Sequence, residues 1–187
     1  MNPDIFLSWF EYATKKVGSG YFGHAERVYC YELYHYIRVA MHHYEKDNGP
    51  IGGIYLHSEL VKRAMTNERA KFYEVYPLDG LRVPDFLFHT PGSFDNQIAA
   101  IEVKANGLSY SQLTDDLYKL AQLRQNYQYQ LAIFHCVNID IGDVIDLLRE
   151  AVANNFELDP NILILCKPAY KVDLISVTVG DLLRKIA

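Results

Sequence analysis

The sequence predicts an α/β protein built on a central mixed β-sheet flanked by helices. Three observations carry this. Apolar residues recur at helical spacing through residues 25–49 and 111–127. Short apolar runs bounded by turn residues, such as "YQLAIFHCVN" and "NILILCK", read as buried strands. Beyond residue 110 the two kinds of segment alternate, which is how sheets covered by helices are written.

The elements follow in chain order. "NPDIFLSWFEYATKKVG" is a short amphipathic helix ended by Gly18. "GSGYFGH" is a loop. It has the glycines of a phosphate loop but puts His24 where the lysine belongs, and no strand precedes it. "AERVYCYELYHYIRVAMHHYEKDNG" is the clearest helix, with Cys30, Leu33, Ile37, Ala40, Met41 and Tyr44 on one face and Asp47, Asn48 and Gly49 as its stop. "GGIYLHSEL" is a strand, polar "VKRAMTNERAK" follows, and "FYEVYPLDG" leads into a hairpin, "RVPDFLFHTPGSFDNQIAAIEVKAN". "SQLTDDLYKLAQLRQNY" is a helix striped by Leu113, Leu117, Leu120 and Leu123. A buried strand, the helix "IGDVIDLLREAVANNF", another strand and a strand running into a terminal helix complete the chain. The step from Ile101 to Val137 is strand, helix, strand, so those two strands are expected to be parallel. The strands before it are expected to pair antiparallel.

The chain has 187 residues, enough for one domain with a sizeable core. No apolar run approaches the roughly 18 residues that span a bilayer. The first residues include Asp4 and Glu11 and no basic region, unlike a secretory signal. Cys30, Cys136 and Cys166 are odd in number and show no CxxC spacing, so neither a disulfide framework nor a structural zinc site is expected. A reduced, cytoplasmic setting fits these features. The net charge of −5 argues against a strongly basic nucleic-acid coat, but leaves room for a local basic groove or an acidic metal site.

The hairpin carries charge where buried strands should carry none: Asp85 in its first strand, Glu102 and Lys104 in its second. Burying an unpaired charge costs roughly several kcal/mol. Strand side chains alternate faces, so Glu102 and Lys104 share one. If the two strands pair, Asp85 joins them at one sheet edge. Two carboxylates in a wet cavity suit Mg²⁺, which prefers hard oxygen ligands. A lysine beside that ion can orient or help deprotonate a water.

Pro84-Asp85 followed by Glu102-Val103-Lys104 resembles the PD-(D/E)XK nuclease superfamily, the restriction-endonuclease-like fold with its αβββαβ core. The glutamate-bearing helix before the hairpin and the Leu-rich helix and strand after it extend the resemblance over residues 25–137. Residues 1–24 and 138–187 then read as N- and C-terminal extensions of a single domain. The resemblance implies a Mg²⁺-dependent endo- or exonuclease acting on DNA, with Mn²⁺ as a substitute. It implies metal ligation by Asp85, Glu102 and the Val103 carbonyl, with Lys104 positioning the water. It also implies a helix glutamate. Glu26 lies in phase with the apolar stripe at about 100° per residue and is preferred to Glu32.

Glu59, in "YLHSELVKR", and Lys119, in "DDLYKL", are further candidates. Glu59 is equally readable as a surface partner of Lys62 or Arg63, and Lys119 as a solvated partner of Asp115 or Asp116. Gln125-x-x-x-Tyr129 resembles an element of RecB-like nucleases. His89 shares the strand face of Asp85 and reads as a loop-end surface residue or a support to the site. Against catalysis stands a second reading, a nuclease-fold protein that binds or regulates. A chain of this size needs a dimer or a protein partner to read DNA sequence.

Overall fold

The computed structural model describes residues 1–58 and 84–186. Among them lie five α-helices and six strands: α1 (Pro3–Lys16), α2 (Glu26–Asn48), β1 (Tyr55–Ser58), β2 (Phe86–His89), β3 (Ala99–Ala105), α3 (Tyr110–Tyr127), β4 (Leu131–Val137), α4 (Ile141–Ala153), β5 (Leu163–Lys167), β6 (Ile175–Thr178) and α5 (Val179–Ile186). Glu59 and the segments "VKRAMTNERAK" and "FYEVYPLDG" lie outside the described residues.

Local chemistry sets the ends of these helices. The Asn2 side chain accepts from the Asp4 amide at 2.9 Å, Pro3 opens α1, and Lys15 and Lys16 close it against the negative end of its dipole. Gly49 stops α2 at a φ of 84°, a backbone state that only glycine adopts without strain. Ser109 and Gln112 cap α3 reciprocally, and Gln128 ends it in the left-handed region.

The six strands form one open mixed sheet in the order β1-β2-β3-β4-β5-β6. β1, β2 and β3 pair antiparallel, β3, β4 and β5 pair parallel, and β6 returns antiparallel. The expected parallel step from β3 to β4 is present, with Ile101 against Ile133 and Lys104 against Cys136.

Side-chain alternation divides the core in two. Phe86, Phe88, Ile101, Val103, Ile133 and Val137 face α1 and α2, where Phe6, Trp9, Phe10, Tyr29, Leu33 and Ile37 cover them. Phe6 stacks on Phe88 with ring centroids 4.7 Å apart. Leu87, Ala100, Ala132, Phe134 and Cys136 face the other way, under Leu113, Leu117, Leu120 and Leu123 of α3 and Val144 and Leu148 of α4. Each fully buried side chain of this size contributes about 1.5–3 kcal/mol.

The stripe of α2 differs from expectation at two residues: Tyr44 is only partly buried, and Tyr29 takes the place of Cys30. Tyr29 is fully buried, while Cys30 is only partly so. The reason is a polar partner in the sheet: the Tyr29 hydroxyl lies 3.0 Å from His135 Nε2, and His135 Nδ1 donates to the Leu165 carbonyl at 2.9 Å. A hydrogen-bonded tyrosine can be buried where an unpaired one could not. All three cysteines are free thiols.

Among the described residues, no helix is long and apolar enough to cross a membrane.

Candidate active site

β3 is the strand at which the sheet changes from antiparallel to parallel pairing. Its carboxyl end carries Glu102, Val103 and Lys104. In β2, Leu87 pairs with Ala100 and Phe86 with Ile101. Continuing that register by one residue sets Asp85 opposite Glu102, on the sheet face covered by α3. Asp85 is anchored there, because its Oδ2 accepts from the Val103 amide at 2.8 Å. The peptide between Glu102 and Val103 thus ties the two halves of the hairpin together.

Two helices complete the cluster. α3 lays Asp116 and Lys119, one turn apart, over Glu102 and Lys104. Lys119 Nζ donates to Glu102 Oε1 at 2.5 Å and to Asp116 Oδ1 at 3.0 Å. Lys104 Nζ sits 3.0 Å from Asp116 Oδ2 and 3.9 Å from Glu26 Oε2. Glu26 comes from the first turn of α2, on the opposite side of the sheet, and reaches around the end of β3. Asp116 therefore bridges both lysines. Its Oδ2 is buried and, for all its nearness to Lys104, is not aligned to accept a hydrogen bond.

Four carboxylates face two ammonium groups in a place mostly removed from water. Burial raises the Glu102 carboxyl to about 8, against the attraction of Lys119, with Asp85 and Asp116 adding repulsion. Burial also raises Asp85, opposed by the Val103 amide and the two lysines. Glu26 rises for the same first reason, with Lys104 opposing. For Lys104, burial works against the charge, but Asp116, Glu26 and Glu102 outweigh it and hold the amine up at about 12. Lys119 is raised in the same manner: burial opposes the charge, and Glu102 and Asp116 prevail. Both lysines stay protonated, while burial and mutual repulsion favour the neutral form of the acids, Glu102 above all. Among the described residues, no three His, Cys, Asp or Glu side chains stand close enough together to enclose a metal ion as they are arranged. The ammonium groups lie between the acids instead.

The structure thus brings together Glu26, Asp85, Glu102, Lys104 and Lys119 from the candidates named in the sequence, and adds Asp116. Glu32 is elsewhere, beside the Tyr21 hydroxyl, whose pKa it raises. The helical phase that carries Glu26 toward β3 carries Glu32 away. Glu59 lies outside the described residues. His89 is not a surface residue. It is buried at the far end of β2, 3.0 Å from His57 Nδ1 and 3.0 Å from the Tyr129 hydroxyl, and burial lowers its pKa to about 4. That same contact removes the Gln125-x-x-x-Tyr129 element from the cluster: Tyr129 serves His89, and Gln125 is exposed six residues along α3 from Lys119, about 9 Å of helix rise. Asp116 had been readable only as a solvated partner of Lys119. Yet it falls in step with Leu113 and Leu120, three residues after one and four before the other, and that phase is the signal of a charge inside the apolar stripe.

Comparison with protein-family patterns, with characterised proteins and with solved structures finds no match for this chain.

Proposed function

We propose that the chain is a restriction-endonuclease-like protein that hydrolyses phosphodiester bonds of DNA with the help of Mg²⁺. The observation that carries this reading is the convergence of Asp85 with Glu102 and Lys104 at the end of β3, on two antiparallel strands joined by the Asp85–Val103 hydrogen bond.

A divalent cation fits the residues present. The donors are hard oxygens, which Mg²⁺ prefers. When all four are ionised, Glu26, Asp85, Glu102 and Asp116 set against Lys104 and Lys119 leave two negative charges in excess, the charge of one such ion. Burial raises the pKa values of Glu26, Asp85 and Glu102, with smaller repulsion among the acids, so a cation entering the site would compete with protons for them. Asp85, Glu102 and the Val103 carbonyl would hold the ion, with Glu26 as a further ligand. A bound Mg²⁺ supplies Lewis-acid stabilisation to a phosphoryl oxygen and lowers the pKa of a water.

The chain's own residues do the rest. Lys104 stays protonated and offers an N–H to the attacking water or to the developing charge on phosphorus. Asp116 keeps that amine in place at 3.0 Å. Asp85 is held at the sheet edge by the Val103 amide. Lys104→Ala removes the water-positioning group together with the amine that faces Asp116 and Glu26. The expected result is loss of Mg²⁺-dependent cleavage of labelled duplex and single-stranded DNA by a variant that still unfolds cooperatively, with its Tm shifted by the loss of the contacts to Asp116 and Glu26. Cleavage by the variant at the wild-type rate contradicts the mechanism.

One observation favours a second reading, a nuclease-fold protein that binds without cutting. Lys119 already occupies Glu102, the acid that a metal ion would need. Wild-type protein that binds neither Mg²⁺ nor Mn²⁺ and cuts no DNA decides for it.

A further inference from the structure

The geometry points to Lys119 as a tethered resident cation. We propose that its amine holds the Glu102–Asp116 pair until a divalent ion arrives, yields Glu102 to that ion, and is retained by Asp116. This rests on the metal-binding reading above and adds a regulatory element that the Asp85, Glu102 and Lys104 set does not contain.

Three facts carry it. First, Lys119 Nζ is placed between two carboxylates, 2.5 Å from Glu102 and 3.0 Å from Asp116, which is the position of a bridging cation. Both acids and the lysine are buried, so little water is available to neutralise them in its place. Second, the two contacts differ in kind. Asp116 is three residues before Lys119 on the same helix, so their contact is local and survives movement of the amine. Glu102 is on β3, across a gap that the lysine side chain must reach over. The contact between helix and strand is the one that movement of the amine can exchange. Third, Asp116 has a second oxygen, Oδ2, that is buried, has no aligned hydrogen bond, and faces Lys104. One carboxylate thus holds both amines, and Glu102 is the acid with an amine to surrender.

A cation that must displace another binds more weakly than its donor set alone would allow, because part of its attraction replaces an existing one. Lys119 therefore sets the metal affinity. It also keeps the cluster folded when no ion is bound, since uncompensated buried charge is strongly destabilising.

The test uses the full chain, stripped of metal, at pH 7.5. Mn²⁺ is titrated calorimetrically into wild type, Lys119→Met and Lys119→Arg, and thermal unfolding is followed with and without Mn²⁺. Methionine keeps the length of the side chain and loses the charge; arginine keeps the charge. The expected result is at least tenfold tighter Mn²⁺ binding by Lys119→Met, and a larger rise in its Tm on adding Mn²⁺ than wild type shows. Lys119→Arg should bind as wild type does, within about threefold. Unchanged or weaker binding by Lys119→Met, with wild type binding normally, overturns the proposal and leaves the metal site standing. Absence of binding in both folded proteins removes the metal site and the proposal with it. Should Lys119→Met fail to fold, the wild-type Lys119 ammonium signal in a ¹H–¹⁵N spectrum provides the decision. Its shift on Mg²⁺ addition supports displacement, and an unmoved signal at saturating Mg²⁺ overturns it.

Discussion

Replacing Glu102 by glutamine should make the protein more stable at alkaline pH while destroying its site. Glu102 is nearly inaccessible, at 2% relative exposure, and its carboxyl is raised from 4.5 to about 8 by burial. A carboxyl whose folded pKa lies above its unfolded value stabilises the fold when protonated. That stabilisation is complete below pH 4.5 and is lost as pH rises through 8. At about 1.4 kcal/mol per pH unit, the penalty on the wild type reaches about 4–5 kcal/mol above pH 8. Glutamine has the shape of the protonated acid and does not titrate. Its stability advantage should therefore be near zero at pH 4.5, grow steadily to about pH 8, and then level off. Metal-free urea unfolding of both proteins at pH 4.5, 6, 7 and 8.5 measures it, as the difference in extrapolated unfolding free energies. A difference that does not change with pH would refute the reasoning, and so would a variant less stable than wild type at pH 8.5. Either result would mean that Lys119 compensates Glu102 fully and that the cluster has no charge to spare for a metal.

Other predictions follow from the same structure. Tyr29→Phe leaves His135 Nε2 buried without its partner and should cost about 1–3 kcal/mol in urea unfolding, with no loss of metal binding. His135 and His89 are both lowered to about 4 by burial, so each is neutral when folded; stability from them is present above pH 6.5 and is lost as pH falls from 6.5 toward 4, about 3 kcal/mol for each. Their ring signals by NMR should stay those of neutral imidazole down to pH 5, whereas titration near pH 6.5 would contradict the buried network. Phe88→Ala opens a cavity beneath Phe6 and Trp9 and should cost about 3–5 kcal/mol, again read by urea unfolding.

Much of this arrangement was legible in the sequence because it rests on two periods. The two-residue strand period placed Glu102 and Lys104 on one face, and strand pairing brought Asp85 to them. The helical period chose Glu26 over Glu32. The order of elements and the parallel β3–β4 step followed from segment lengths, since a crossover helix forces that pairing. Most of what was missed needed tertiary contacts. Asp116 was passed over as a solvated partner of Lys119, although its phase with Leu113 and Leu120 pointed inward; which groups it would meet there is set by the packing of α3 on β3. Tyr129 and His89 are drawn together by a hydrogen bond across 40 residues, so no local pattern announces it. Tyr29 is buried instead of Cys30 because His135, on β4, offers a nitrogen to its hydroxyl.

The most direct measurement of the central claim is anomalous diffraction from a crystal of the wild-type chain soaked in Mn²⁺. A single peak bounded by Asp85, Glu102 and the Val103 carbonyl, with Lys119 Nζ moved off Glu102 and still on Asp116, is the predicted result. A saturating soak that leaves no peak at this edge of the sheet, with Lys119 still on Glu102, would contradict it.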